Sequence, residues 1–219
     1  MHNIYIDIET IAGPNRPSIE EVMDMAPKSM TKEDTIRKWA EENADSIYRK
    51  QALDSMQGEI LAVGWAHNDG EPRCHIRMNG GANERALLEL VEADLMRIVK
   101  TYKGVAPRWV GHNVKCFDLP WMWRKCLKYG LYDLARSIPK GRYTKDIEDT
   151  MEMWAIDFKD HVSLSKIAAF FGLNGKTEGL DGSKVYDAYI AGEHDRIAEY
   201  CRGDVALTRD IHRIISAGM

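Results

Sequence analysis

The chain predicts an α/β fold, a mixed five-stranded sheet flanked by helices. Three observations carry this. Runs rich in β-branched and aromatic residues occupy the early part of the chain, short strand-like runs then alternate with helical periodicity, and the last third has apolar residues at helical spacing. At 219 residues the chain can bury one substantial core. The expectation is a single domain over residues 1–219, with residues 14–57 as a helical insertion after the first strand.

Residues 3–8 are β-branched and aromatic and precede a Gly-Pro turn at 13–14, which predicts a buried strand. Within 14–57, the apolar positions Ile36, Trp39, Ala40, Ile47 and Tyr48 predict an amphipathic helix from about 31 to 53. It suits a helix packed on the sheet edge, a lid over a substrate, or an oligomer contact. Residues 59–67 and 73–78 read as the second and third strands, with a turn at 79–81. Leu87, Leu88, Val91, Leu95, Ile98 and Val99 fall at helical spacing, with Asn83 as the cap of that helix. A fourth strand follows at 108–111. The next helix starts near 117–120, where Pro120 is tolerated in a first turn, and ends at Gly130. Residues 143–148 predict the fifth strand, and helices are expected at 163–171, 184–190 and 194–215.

No apolar run approaches the length of a membrane span, and strand-like sequence begins at once, so a cytoplasmic protein with no membrane partner is expected. Cys74, Cys116, Cys126 and Cys201 lack the spacing of a zinc site or disulfide framework and read as ordinary thiols. A formal net charge of −4 argues against a protein that coats nucleic acid nonspecifically. Between 115 and 145, however, Lys115, Arg124, Lys125, Lys128, Arg136, Lys140, Arg142 and Lys145 face only Asp118 and Asp133. Such a local excess can hold a phosphate backbone, although a solvated run of charges is an equally good reading of 136–145.

Three acidic segments recur in order: Asp7-Ile8-Glu9, Asn113-Val114-Lys115-Cys116-Phe117-Asp118, and Tyr200-Cys201-Arg202-Gly203-Asp204. Residues two apart in a strand share a face, so Asp7 and Glu9 project together. Residues four apart in a helix stack, so Tyr200 and Asp204 do likewise. Asp118 falls in a first helical turn, where the macrodipole favours an anion. Phosphodiester hydrolysis needs such a gathering: two divalent cations about 4 Å apart activate water and stabilise the leaving oxygen, and oxygen ligands hold them. Each motif is weak alone. Asp146-Ile147-Glu148 repeats the first and the segment from Tyr129 to Asp133 repeats the third, but Asp146 lacks an apolar lead-in and Gly130 interrupts the second decoy. Tyr200 by itself is more often a packing tyrosine, His112 and His161 are expected to be structural, and Trp121, Met122 and Trp123 to be core, with one tryptophan available to stack on a base.

The ordered motifs resemble the DEDD superfamily of 3'-5' exonucleases, in its tyrosine-bearing (DEDDy) branch. The nearest resemblance is to predicted stand-alone exonucleases related to the proofreading domain of family B DNA polymerases. The resemblance runs from Tyr5 into the last helix and implies a ribonuclease H-like fold. It implies that Asp7, Glu9, Asp118 and Asp204 hold two divalent metal ions, Mg²⁺ or Mn²⁺. Asp7 would bridge both, Glu9 and Asp204 would complete the nucleophile side, and Asp118 would hold the second ion, partly through water. Tyr200 would orient the attacking water, making Asp7, Glu9, Asp118, Tyr200 and Asp204 the catalytic set. Thr10, Asn113 and Phe117 would contact the terminal nucleotide. The implied activity is removal of nucleoside monophosphates from single-stranded 3' ends, with DNA favoured over RNA on family grounds. A catalytically silent nucleic-acid-binding module, or a structure-specific endonuclease on the same fold, are the rival readings.

Overall fold

The structure, a computed structural model, describes residues 2–78, 83–102, 105–141, 144–155, 160–173 and 179–219. These fall into two compact units, one comprising residues up to Glu9 with Ile60 onward, the other Thr10–Glu59.

In the first unit the strands are β1 (Asn3–Ile11, whose last two residues pass into the second unit), β2 (Glu59–His67, whose first residue belongs to the second unit), β3 (Arg73–Ile76), β4 (Arg108–Gly111) and β5 (Ile147–Asp149). They form one sheet of order β3-β2-β1-β4-β5. β2 and β3 are antiparallel, whereas β1 with β4 and β4 with β5 are parallel. The fold is the expected mixed α/β sheet with helices on it, ribonuclease H-like in architecture. β5 is shorter than its expectation: only 147–149 pair, and the predicted start at Tyr143, like the turn at 79–81, lies outside the described residues.

β1 explains how the sheet is sandwiched. Ile4, Ile6 and Ile8 enter a core with Leu87, Leu88, Val91 and Leu95 of α3 (Glu84–Thr101) and Trp121 and Met122 of α4 (Asp118–Tyr129). Each such aliphatic side chain contributes about 1.5–3 kcal/mol by leaving water. On the opposite face Tyr5, Ala66 and Val110 pack against Val205 of the long C-terminal helix, His194–Ala217. The alternation therefore sends Tyr5, Asp7 and Glu9 toward that helix. Asn83 caps α3 by accepting from the Ala86 amide at 3.0 Å, as its sequence predicts. Gly130, at φ +76°, ends α4 in the left-handed conformation that glycine adopts without strain.

A buried charge network joins these layers. Glu84 and Lys125 are 1% and 2% exposed and pair at 3.4 Å, while Glu84 also accepts from the Ile60 amide at 2.7 Å and the Tyr129 hydroxyl at 2.6 Å. Lys125 is thus withdrawn from the cationic surface that its sequence neighbourhood suggests.

Three short helices were not legible in the sequence: α1 (Ile19–Met23), α5 (Tyr132–Ser137) and α6 (Thr150–Trp154). Helices α7 (Leu164–Phe170), α8 (Val185–Ile190) and α9 (His194–Ala217) fall within a few residues of expectation. The second unit holds α1, capped by a reciprocal Ser18 and Glu21 box, and α2 (Glu33–Lys50), shorter than predicted because residues 51–53 tighten into a 3₁₀ turn. Within it Tyr48 donates to the Gly13 carbonyl at 3.0 Å.

Candidate active site

The acidic centre forms where β1 runs past the end of its partner. β1 pairs with β4 over Asn3 to Tyr5, and beyond that register the amide of Ile8 donates to Asp118 Oδ1 at 2.9 Å. Past the end of the β4 register this N–H thereby holds the first carboxylate of α4 near Asp7. From the other side, α9 presents Tyr200, Cys201 and Asp204 on its buried stripe. The close approach of α9 depends on Gly64 in β2, where a Cβ would lie 2.8 Å from the Cys201 sulfur and 3.1 Å from its carbonyl oxygen.

Asp7, Glu9, Asp118 and Asp204, drawn from all three motifs, lie close enough to repel one another. Burial pushes the carboxyl of Asp7 well above the usual carboxylate range, and the charges of Glu9, Asp118 and Asp204 push it further. Glu9 is raised by the same burial and by Asp204 and Asp118. Asp118 is pushed up to about 7, chiefly by burial, although its own amide and that of Ile8 favour the charged form. Tyr200 is 8% exposed and shares a hydrogen bond with Asp204; burial and the surrounding carboxylates push its phenol far up, so it holds its proton.

Cys201, by its spacing an ordinary thiol, lies against the acidic centre. Its thiol donates toward Asp7 Oδ2 at 3.5 Å and, with oxygens of Asp7 and Glu9, forms a group whose ligand-type atoms lie within 4.8 Å of one another. A hydrogen bond with Cys74 and burial both raise its pKa, which keeps it a neutral donor. Gly64 inside a strand was the sequence signal that a neighbouring backbone comes close here.

Asp149 caps α6 by accepting from the Met151 amide at 3.0 Å, and it also accepts from the amides of Asn113 at 2.8 Å and Lys115 at 3.0 Å. The second motif is therefore held as a turn by a carboxylate 2% exposed and some thirty-five residues away. Asn113 has φ +60°, a left-handed conformation that asparagine tolerates, and its carbonyl accepts from the Phe117 amide at 3.0 Å. The Phe117 ring lies 5.7 Å from Trp121. Thr10 donates to the Ala52 carbonyl at 2.6 Å within the second unit.

The decoy motifs are occupied elsewhere. Glu148 pairs with Arg108 at 2.7 Å and His212 at 2.6 Å, Asp146 is exposed, and Tyr129 bonds Glu84. His112 is structural, bridging Thr150 Oγ1 at 2.9 Å and the Val162 carbonyl at 3.0 Å, and burial lowers its pKa. His161 is exposed, with Nδ1 3.3 Å from the sulfur of Met151. Of the basic run, Arg136 pairs with Asp133, Lys115 with Glu152 at 2.5 Å, and Arg142 lies outside the described residues.

A ribonuclease H-like sheet with carboxylates gathered from β1, α4 and α9 defines a DEDD-type architecture. Residues 59–211 match the family model described as a predicted 3'-5' exonuclease related to the exonuclease domain of PolB. The chain belongs to that family. The match contains the second and third motifs, while Asp7 and Glu9 precede it. A search of curated proteins finds no match. Among the described residues no helix is long and apolar enough to cross a membrane.

Proposed function

We propose that this protein is a metal-dependent 3'-5' exonuclease that hydrolyses single-stranded nucleic acid, with DNA favoured, to nucleoside monophosphates. Residues 14–57 are then an insertion in a single exonuclease domain. The observation that carries the reading is the convergence of Asp7, Glu9, Asp118 and Asp204, four carboxylates whose mutual repulsion and burial raise the pKa of at least the first three. Buried like charges are costly unless a counter-charge joins them. Divalent cations with oxygen-seeking chemistry, Mg²⁺ or Mn²⁺, fit a donor set made of four carboxylates.

Asp7, Glu9, Asp118 and Asp204 would hold two such ions. Once bound, these supply a nucleophile at neutral pH and offset charge on the phosphate. The protein's own groups do the rest. Tyr200 keeps its proton, so it is not the base; its O–H donates to Asp204, and its oxygen would orient the attacking water by accepting from it. Its bond to Asp204 ties the phenol to one of the four carboxylates. Cys201 donates to Asp7 and steadies that carboxylate. Asn113 and Phe117, on the turn braced by Asp149, would meet the terminal nucleotide.

Digestion of 5'-labelled single-stranded DNA and RNA with Mg²⁺, Mn²⁺ or EDTA tests this. The expected result is a ladder shortening stepwise from the 3' end, abolished by EDTA. Internal cuts would favour the endonuclease reading, and binding without cleavage the silent module.

A further inference from the structure

A second feature of the surface has no part in the acidic centre. A cleft of about 560 Å³ lies between the start of α4 and the segment around Lys140. Lys115, Arg124 and Lys140 line it with a single acid, Glu152, and Trp123 forms part of its wall. Trp123 is half-buried, and the ammonium of Lys140 lies 4.4 Å from the centre of its ring. Leu119 and Ile147 supply apolar surface beneath. The cleft begins on the second motif itself, since Lys115 and Leu119 flank Asp118 in the chain.

We infer that this cleft is a binding subsite for a single strand of nucleic acid, holding nucleotides inward of the end that reaches the acidic centre. The inference rests on the nuclease reading above. Three cations against one acid, in a chain whose formal charge is −4, make a patch opposite in sign to the molecule as a whole. Cations alone would serve any polyanion. An aromatic face among them is the additional element that a nucleobase uses, because every base has a π surface and stacking tolerates any sequence. Lys140 now covers that face by a cation–π contact, and its flexible stem lets the ammonium move to a phosphate as a base takes its place. Lys115 is held by Glu152 at 2.5 Å and would exchange that partner for a phosphate.

The test is fluorescence anisotropy of the full chain in EDTA, which requires no turnover. The probes are 5'-labelled oligothymidylate, oligouridylate of the same length, an abasic oligomer of that length, and poly-glutamate. Trp123→Leu should weaken binding of the two base-bearing strands about 5- to 100-fold and leave the abasic strand unaffected. Lys140→Ala should reduce the salt slope by about one. The ratio of thymidylate to uridylate affinity reports which polymer the subsite takes. If both variants bind as the wild type does, the strand lies elsewhere and the inference fails while the exonuclease reading stands. Poly-glutamate binding equal to that of the strands would make the cleft a general polyanion surface and also overturn it. A wild type that binds neither strand would overturn the subsite, while digestion in Mg²⁺ or Mn²⁺ decides the nuclease reading separately. Should Trp123→Leu lose its fold by circular dichroism, the salt slopes of Lys140→Ala and of Lys140→Glu, both exposed changes, decide the matter.

Discussion

Replacing Asp149 with asparagine changes almost no volume but turns one acceptor oxygen into a donor. In the native protein its two oxygens accept from three amides, those of Asn113, Lys115 and Met151, at 2.8 to 3.0 Å. Hydrogen bonds to an ionised group contribute about 1.5–3 kcal/mol each, against about 1 for neutral pairs. Asparagine keeps its oxygen toward Asn113 and Met151, and there each bond weakens. Toward Lys115 it opposes N–H to N–H and loses the bond outright. The sum is a destabilisation of about 3 kcal/mol, less than the whole stability of a domain this size. The fold should therefore persist with its second motif loosened. Asp118 sits at the end of that turn, so the expected consequence is a 10- to 100-fold weaker affinity for Mn²⁺, the usual order for losing a group that orients a ligand. Removing the Asp149 charge also lowers the Asp118 pKa, since that charge helps raise it. Urea unfolding would give the stability change and calorimetric Mn²⁺ titration the affinity. Loss of stability with wild-type metal affinity and turnover would show that Asp149 braces the fold without positioning the site, and no change in either would refute the reasoning altogether.

Tyr200→Phe removes only the hydroxyl, and turnover should fall on the order of 100-fold with melting temperature and strand affinity nearly unchanged; wild-type turnover would mean a packing role. Lys125→Met removes the buried partner of Glu84 while Lys128 stays 3.9 Å away, and chemical denaturation should report a loss of about 3 kcal/mol. The raised carboxyls of Asp7, Glu9 and Asp118 mean that the folded metal-free protein binds more protons than the unfolded chain above the ordinary carboxylate pKa of about 4. Stability in EDTA should accordingly decline as pH rises from about 4 through about 7, the folded Asp118 value. Added Mn²⁺ should raise the melting temperature more at the upper end of that window, and a flat profile would count against the repulsive cluster. Asp7→Asn relieves the same repulsion, so in EDTA it should melt higher than the wild type while losing cleavage.

Local geometry was readable from the chain because it depends on near neighbours. Strand alternation put Asp7 and Glu9 on one face, a four-residue helical spacing stacked Tyr200 over Asp204, and Gly130 marked the end of α4. The long, periodic helices and the boundaries of β2 and β4 were legible for the same reason. The helices Ile19–Met23 and Thr150–Trp154, of five residues each, are too short to show a period, and were not. What tertiary structure decided is everything joining distant positions: Ile8 to Asp118 across 110 residues, the second motif to Asp149, and the close packing of Cys201 over Gly64. It also withdrew Lys125 from a basic stretch into a buried pair with Glu84 and left Trp123 beside Lys140 at the surface. A sequence specifies which groups are present and which face of their own element they share, whereas sheet order, register and the depth to which one helix approaches another decide which of those faces meet.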